Sequence, residues 1–248
     1  MLRADRAPHG ASEVTSIVIH IDAEPVLAIL GDDGRNWSKR AWSIGRSMGL
    51  HEAIRRCSPQ PGDAYLIEQV ASIQGWGPIW NDARNTSWAD IRARINGGIN
   101  ITDDNLAETF GSSWRAVVHV VRTVAATTPE HFTRMNETER TATWSEAWQA
   151  ALDAGFVHAT AAWNAALAAA GDAARSVGGG LVWADATWAG FAWIGAAWTS
   201  VARVAWDAAG AVVVGDLVGQ HGLTQAHVDT LLVPFVTVFG PIPGDAVQ

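Results

Sequence analysis

Two acidic residues in apolar segments are the side chains of this sequence best suited to catalysis. Asp22 ends the run SIVIHID at residues 16–22, close to His20 and Glu24, and Glu68 interrupts the run AYLIEQVA at residues 64–71. A carboxylate on a buried strand is costly unless it meets water, a cation or a hydrogen-bond donor. If the two strands are neighbours, Asp22 and Glu68 can hold a divalent metal, and such a metal can activate water for phosphodiester hydrolysis.

Both acids also have a structural interpretation. Asp22 is suited to capping the turn before Pro25, and this interpretation is the favoured one for that residue. Glu68 either faces solvent on a half-exposed strand or pairs with a nearby arginine. Other motifs are absent: the histidines lack the HExxH spacing of a zinc protease, and the single Cys57 excludes an internal disulfide or a multi-thiolate zinc site.

The elements that would position these acids are short and lie in the first 140 residues. The apolar runs predict strands at residues 16–22, 26–30 and 64–71, the first two as a hairpin. Helices are predicted near residues 38–56, 88–95, 106–126 and 143–154. The sequence thus indicates a tail at residues 1–14 and an α/β domain at residues 15–140, followed by an Ala/Trp-rich all-α region at residues 141–248.

The Ala/Trp-rich region carries a five-residue register. Six of the chain's 14 Trp share one position of it, namely Trp148, Trp163, Trp183, Trp188, Trp193 and Trp198. In an α-helix a step of five spreads these rings around the axis, as in helices buried on all sides. A β-solenoid is the alternative, but Ala is a poor strand former. The helical interpretation places a hairpin at residues 178–180 and a last helix between Thr224 and Pro234.

Charge and hydropathy restrict the partners. The chain carries a formal net charge of −8, and residues 141–248 contribute −6 of it, with Arg175 and Arg203 as their only basic residues. Because phosphate binding needs clustered Lys and Arg, a nucleic acid would have to bind the first 140 residues. Residues 180–202 are long enough to cross a bilayer. They contain Asp185 and few Leu, Ile or Val, so a buried helix is favoured over a membrane span.

The segments around Asp22 and Glu68 resemble a known family. Residues 16–34, SIVIHIDAEPVLAILGDDG, are similar to the first hairpin of the ribonuclease H-like fold of RuvC-type Holliday-junction resolvases. Residues 61–72, PGDAYLIEQVAS, are similar to a later strand of that family, and SIQGWG and ETFGSSW to its Gly-rich stretch and following helix. The resemblance covers about residues 15–125 and implies an α/β fold with a ribonuclease H-like sheet.

This resemblance implies a site and an activity. Asp22 and Glu68 would be the metal ligands, Glu146 is the closest match to the family's later catalytic acid, and Asp153 is second. The implied function is a Mg²⁺-dependent nuclease that acts on branched or structured DNA. The region after residue 140 resembles uncharacterised Ala/Trp-rich proteins of actinobacteria and their phages, which suggests a phage-encoded protein.

A non-catalytic function is the alternative. In this hypothesis the Trp-rich half forms an interface for self-association or for a protein partner, because Trp buries a large and rigid area. The N-terminal segment lacks the apolar region of a signal peptide, so we expect a protein of the bacterial cytoplasm, or one associated with a virion, without a membrane anchor.

Overall fold

Helices dominate the architecture. The structure is a computed structural model that describes residues 16–31, 33–37, 43–44, 47–48, 50–74, 87–137, 143–154, 159–182 and 188–243. In these ranges the helices are α1 Ala23–Leu30, α2 Leu50–Cys57, α3 Asp63–Ile73, α4 Trp88–Ile95, α5 Asp103–Phe110, α6 Trp114–Ala125, α7 Pro129–Glu137, α8 Trp144–Ala154, α9 Ala159–Val182, α10 Trp188–Val214 and α11 Gln225–Phe239. The strands are β1 Ile17–Ile21, β2 Ser43–Ile44, β3 Ser47–Met48 and β4 Ile99–Thr102.

The predicted ribonuclease H-like sheet is wrong. Within the described ranges the strands form two antiparallel pairs, β1 with β4 and β2 with β3. The strand predicted at residues 16–22 is confirmed as β1, but its partner β4 lies about 80 residues later and not in a hairpin. The predicted α/β fold class is therefore wrong, and the described residues form a mostly helical fold with two small two-stranded sheets.

Residues 26–30 form part of helix α1 because their buried positions follow the helical period. Val26 and Leu30 are buried whereas Ala28 between them is exposed, which a strand with one buried face would not give. The turn expected before Pro25 is replaced by the start of α1, and Pro25 is the third residue of this helix. At that position its missing N–H would have no partner in the helix, so Pro is tolerated.

Residues 64–71 form most of helix α3, which is buried on several sides. Helix α3 packs against α2, α5, α6 and α9, so nearly all its side chains from Ala64 to Ala71 are buried. A short apolar run of this kind fits a buried strand and a buried helix equally well. Gly62, with a φ of +91°, turns the chain into the helix, and a side chain there would meet the backbone of Arg122.

Two further boundaries differ from the predictions. The helix expected at residues 38–56 is confirmed only from Leu50 onward, since β2 and β3 occupy residues 43–48 in part. The helix expected at residues 106–126 is divided into α5 and α6 by Gly111, whose φ of +80° no helix accommodates. The helices predicted near residues 88–95 and 143–154 are confirmed as α4 and α8.

The helical interpretation of the Ala/Trp-rich region is confirmed. Helices α8, α9, α10 and α11 occupy most of its described part. Helix α9 packs along α10, and both helices bury small residues at steps of three and four. On α9 these are Ala159, Ala162, Ala166, Ala169 and Ala173, and on α10 they are Val201, Ala205, Ala208 and Val212. Residues 178–180 continue α9, so the hairpin predicted there is wrong.

Helix α11 also passes its predicted end. Thr224 caps it as expected, with its hydroxyl accepting a hydrogen bond from the His227 N–H. Pro234 lies inside the helix and does not stop it. Phe235 and Val238 after the proline are buried, and each such burial contributes about 1.5–3 kcal/mol, which offsets the lost hydrogen bond.

The main hydrophobic core contains residues of both halves of the chain, and a second, smaller cluster lies between α8, α10 and α11. The main core includes Ile19 of β1, Leu66 of α3, Val117 of α6, Ala166 of α9 and Ala205 of α10. The predicted domain boundary between residues 140 and 141, like the predicted tail at residues 1–14, lies outside the described residues. No helix in the described ranges is both long and apolar enough to cross a membrane.

A buried ion pair fastens α3 to α6 within this core. Asp63 is fully buried, and its Oδ1 lies 2.7 Å from Nε of Arg122. The Gln60 N–H donates a second hydrogen bond to Asp63 Oδ2, at 3.2 Å. Burial raises the pKa of the Asp63 carboxyl, and the pair with Arg122 opposes that rise. The carboxylate therefore depends on Arg122 for compensation of its charge.

We expect Arg122→Met to lower the free energy of unfolding by about 3–5 kcal/mol, because it leaves a buried carboxylate without its cation. The double variant Asp63→Asn/Arg122→Met should recover part of this loss, since the uncompensated charge is then gone. Urea denaturation of the wild type, both single variants and the double variant measures the coupling. Additive losses in the double variant would contradict the pairing.

Candidate functional site

Asp22 lies on the surface at the junction of β1 and α1. Its side chain is 75% exposed, and its Oδ1 lies 3.0 Å from Nε2 of His20. The other ring nitrogen of His20, Nδ1, lies 2.6 Å from Oδ1 of Asn100 on the paired strand β4. Asp22 occupies the N-cap position of α1, but its side chain makes no capping hydrogen bond to that helix. The capping role favoured from the sequence is thus replaced by a contact with histidine.

The two oxygen acceptors favour the charged form of His20. Hydrogen bonds to Asn100 and then to Asp22 raise the pKa of His20 above its ordinary value of 6.5, with a smaller opposing effect of burial. A histidine whose pKa is raised in the folded protein stabilises the fold below its unfolded pKa. This contribution is lost as the pH rises through the folded pKa.

We expect Asp22→Asn to move the pKa of His20 back toward 6.5, since the variant removes the acceptor charge at Nε2. An NMR titration of the His20 Cε1 proton measures the shift directly. Asp153→Asn, which changes an acid on a separate helix, is the matched control and should leave the His20 titration unchanged. An identical titration curve for wild type and Asp22→Asn would show that the His20–Asp22 contact does not form in solution.

Glu68 lies in the middle of helix α3, not on a strand. Its Oε2 is 3.6 Å from Nδ1 of His51 on α2, and its side chain is 37% exposed. The structure therefore joins Glu68 to a histidine of a neighbouring helix, whereas Asp22 contacts a histidine of its own strand. The two predicted ligands thus contact different histidines, Asp22 contacting His20 and Glu68 contacting His51.

An ion-pair network lies between α2, α3 and α9. The buried Glu52 accepts hydrogen bonds from Arg55, at 2.6 and 2.8 Å, and from Arg56, at 2.8 Å. Arg55 also lies 3.6 Å from Asp172 of α9, which accepts a hydrogen bond from the Tyr65 hydroxyl. Burial opposes ionisation of Glu52, but the two arginines outweigh it and lower the pKa of its carboxyl. The network links α2, α3 and α9 with its charges compensated.

The two remaining predicted acids are exposed on helix α8. Glu146 lies in the first turn of α8, and Asp153 accepts a hydrogen bond from Gln149 at 2.9 Å. Among the residues that the structure describes, no group of three or more His, Cys, Asp or Glu is placed to hold a metal. The Mg²⁺ site stays a prediction.

A cluster of four indole rings lies where α8, α9 and α10 meet. Trp144 and Trp148 stack at 5.7 Å and 9°, and Trp163 and Trp206 stack at 4.9 Å and 12°. Trp148 joins the two pairs, with its ring 5.7 Å from Trp163 and 6.4 Å from Trp206. The Trp144 indole N–H donates to Oδ2 of the fully buried Asp207 at 3.0 Å. This hydrogen bond holds Trp144, and with it the stacked pair Trp144–Trp148, against α10.

Gly210 of α10 makes the close approach of these rings possible. A Cβ at this position would lie 2.9 Å from Trp163 Nε1 and 3.2 Å from the Trp148 ring. Both distances are tighter than ordinary van der Waals contact. The missing side chain is therefore a steric requirement of the cluster.

We expect Gly210→Ala to destabilise the fold by about 1–3 kcal/mol, because the added methyl forces the two indoles out of their packed positions. Near-UV circular dichroism should change in parallel, since the stacked indoles lose their fixed geometry. Gly215→Ala is the matched control, because a Cβ there meets nothing within 4 Å. Equal stability and equal near-UV spectra for Gly210→Ala and the wild type would contradict this packing.

A groove beside the cluster is the candidate binding site. This Trp groove has a volume of about 420 Å³, and its lining residues are Trp144, Trp148, Leu167, Trp198, Thr199, Ala202, Arg203, Trp206 and Asp207. Trp198 is 47% exposed, although it is one of the largest apolar side chains of the protein. The lining is apolar except for Thr199, Arg203 and Asp207.

Sequence reasoning found only part of the Trp groove. The five-residue register included Trp148 and Trp198, but Trp144 and Trp206 lie outside it. The informative signal is the helical spacing on α10. Trp198, Ala202 and Trp206 follow one another at steps of four, and so do Thr199, Arg203 and Asp207. Residues four apart share one face of a helix, so this spacing predicts a common surface.

The functional assignment has no support from relatives. No protein-family model, curated protein or solved structure matches this chain. The resemblance to RuvC-type resolvases stays a prediction, although the fold that it implied is wrong.

Proposed function

We propose that this protein is a non-catalytic interaction protein that binds an apolar group of a partner in the Trp groove. The observation that carries this proposal is the groove itself, an open apolar surface formed by indole rings. Ligand sites are concave, lined mainly by apolar and aromatic side chains with a few polar groups, and typically about 300–1,000 Å³ in volume. The Trp groove, at about 420 Å³, has this composition and size.

The exposure of Trp198 supports a binding function. Exposed indole surface is costly in water, and Trp is enriched among the residues that contribute most to protein interfaces. Trp198 projects at the edge of a concave apolar surface, so a bound group can cover the ring and fill the groove at once. A group of one or two aromatic rings matches the available volume.

The rigidity of the groove also supports this function. Trp144 is held by its hydrogen bond to Asp207, and Trp148 and Trp206 are held by ring stacking. Side chains that are already fixed lose little conformational entropy on binding. The groove is thus preorganised for an apolar group, apart from the exposed Trp198.

Several expectations from the sequence stay predictions. They are the Mg²⁺-dependent nuclease, DNA as its substrate, self-association through residues 141–248, and a location in the bacterial cytoplasm or in a virion. The Trp groove is compatible with a protein partner or with a second copy of this chain as the source of the apolar group.

We expect the neutral aromatic probe 1-naphthalenemethanol to bind the wild type and change its indole fluorescence. Trp198→Ala should weaken this binding about tenfold, because it removes one wall of the groove without opening the core. Leu152→Ala is the matched control, since Leu152 of α8 is an exposed apolar side chain outside the groove. Titration calorimetry and fluorescence measure both effects.

Light scattering of the same variants tests the source of the apolar group. If a second copy supplies it, Trp198→Ala should shift a dimer to monomers, whereas Leu152→Ala should not. Failure of the probe to bind the wild type, or equal binding by Trp198→Ala, would contradict the proposed function.

A further inference from the structure

The turn between α4 and β4 contains the single Asn-Gly pair of the sequence, Asn96-Gly97. Asn96 is the C-cap of α4, and β4 begins two residues after Gly97. Both residues of the pair are exposed to solvent. Asn is one of the thermolabile residues of proteins, because a nucleophile can attack its side-chain amide and release ammonia. The backbone nitrogen of the next residue is the nearest such nucleophile.

Gly97 leaves this backbone nitrogen open to reaction. A Cβ at position 97 would meet nothing within 4 Å. The N–H groups on either side are bound, since Asn96 donates to the Arg92 carbonyl at 3.0 Å and Gly98 donates to the Ile95 carbonyl at 2.9 Å. Within the described part of the chain, neither the Gly97 N–H nor the side-chain amide of Asn96 forms a hydrogen bond. The two reacting groups are therefore solvated and unshielded.

A local rotation brings these two groups together. The ψ of Asn96 is −26°, as in a helix, and rotation about this bond carries the Gly97 nitrogen toward Cγ of Asn96. The rotation releases the hydrogen bond from Gly98 to Ile95. Glycine reaches backbone conformations that other residues avoid, so the pair Gly97-Gly98 can absorb the change. The reactive geometry is thus accessible without unfolding of the core.

We propose that Asn96 is a site of spontaneous modification, at which the folded protein converts asparagine into a mixture of aspartate and isoaspartate. The Gly97 backbone nitrogen loses its proton to water or hydroxide and attacks Cγ of Asn96. A bond forms between this nitrogen and Cγ, the bond between Cγ and Nδ2 breaks, and the amide takes up a proton and leaves as ammonia. One water molecule then opens the succinimide ring at either of its two carbonyls, which gives the two products.

Either product changes the chemistry of the turn. The new carboxylate lies at the C-terminal end of α4, where the helix dipole disfavours a negative charge. Isoaspartate also adds a methylene group to the main chain between α4 and β4. Asn96 lines a pocket of about 600 Å³ together with Glu24, Arg35 and Asn36, so the conversion adds a second acidic group to that pocket. The modified protein is therefore more acidic, with an altered connection to β4.

Incubation of the full-length protein at mildly alkaline pH tests this site. Digests prepared at acidic pH are analysed by mass spectrometry with electron-transfer fragmentation, which distinguishes aspartate from isoaspartate. We expect both products at Asn96 and unchanged residues at Asn100, Asn105 and Asn164. The amides of Asn100 and Asn105 bind other side chains, and Asn164 is exposed but precedes Ala165 within α9. Anion-exchange chromatography should resolve the modified protein as a more acidic species.

Gly97→Ala is the matched variant, because it keeps Asn96 exposed and its Cβ meets nothing within 4 Å. It should slow the conversion by about an order of magnitude, since alanine restricts the backbone rotation that glycine permits. Its thermal unfolding transition should not fall below that of the wild type. A synthetic peptide of residues 94–100 gives the rate of the same reaction without the fold.

Three results would each contradict the proposed modification. In the first, Asn96 of the folded protein is unchanged when the peptide has converted completely. In the second, aspartate forms without isoaspartate, which excludes the succinimide. In the third, Gly97→Ala converts as fast as the wild type.

Discussion

The packing of α9 against α10 is the most extensive contact between two described elements of this protein. Both helices bury small residues at steps of three and four, among them Ala162 and Ala166 on α9 and Ala205 and Ala208 on α10. Small residues allow two helices to approach closely. Where the helices meet at one end of this contact, Trp163 of α9 stacks on Trp206 of α10. Two of the clustered rings, those of Trp148 and Trp163, pack against α10 at Gly210, where a Cβ would be too close to them.

The same constraint connects the two halves of the chain. Helices α3 and α6 pack on α9, and α8 and α11 pack on α10, so the helix pair contacts elements from both halves of the chain. The polar contacts strengthen these attachments: Asp63 pairs with Arg122 between α3 and α6, and Tyr65 donates to Asp172 between α3 and α9. The Trp groove, which we propose as the binding site, lies outside these contacts, on a surface of α10 that the indole rings cover only in part.

Local patterns in the sequence predicted individual elements better than the fold. The capping residue Thr224, the strand β1 and the helical Ala/Trp-rich region follow from side-chain chemistry within a few residues. The helices at residues 26–30 and 64–71 could not be predicted in this way, because an apolar run has no alternation of apolar and polar residues that distinguishes a buried helix from a buried strand. Only the packing of α3 among its neighbours decides that question. The roles of Asp22 and Glu68 as metal ligands stay predictions. The contact of Asp22 with His20 is local in the sequence, whereas that of Glu68 with His51 comes from the packing of α2 against α3 and could not be predicted from spacing.

The central claim is that the Trp groove is a binding surface. The most direct measurement is ¹⁹F NMR of the protein labelled with 5-fluorotryptophan, with the 14 resonances assigned by single Trp→Phe substitutions. Addition of 1-naphthalenemethanol should shift the resonances of Trp198 and Trp206 and leave those of Trp37, Trp88 and Trp114 in place. Unchanged spectra, or shifts confined to the latter three residues, would contradict the account.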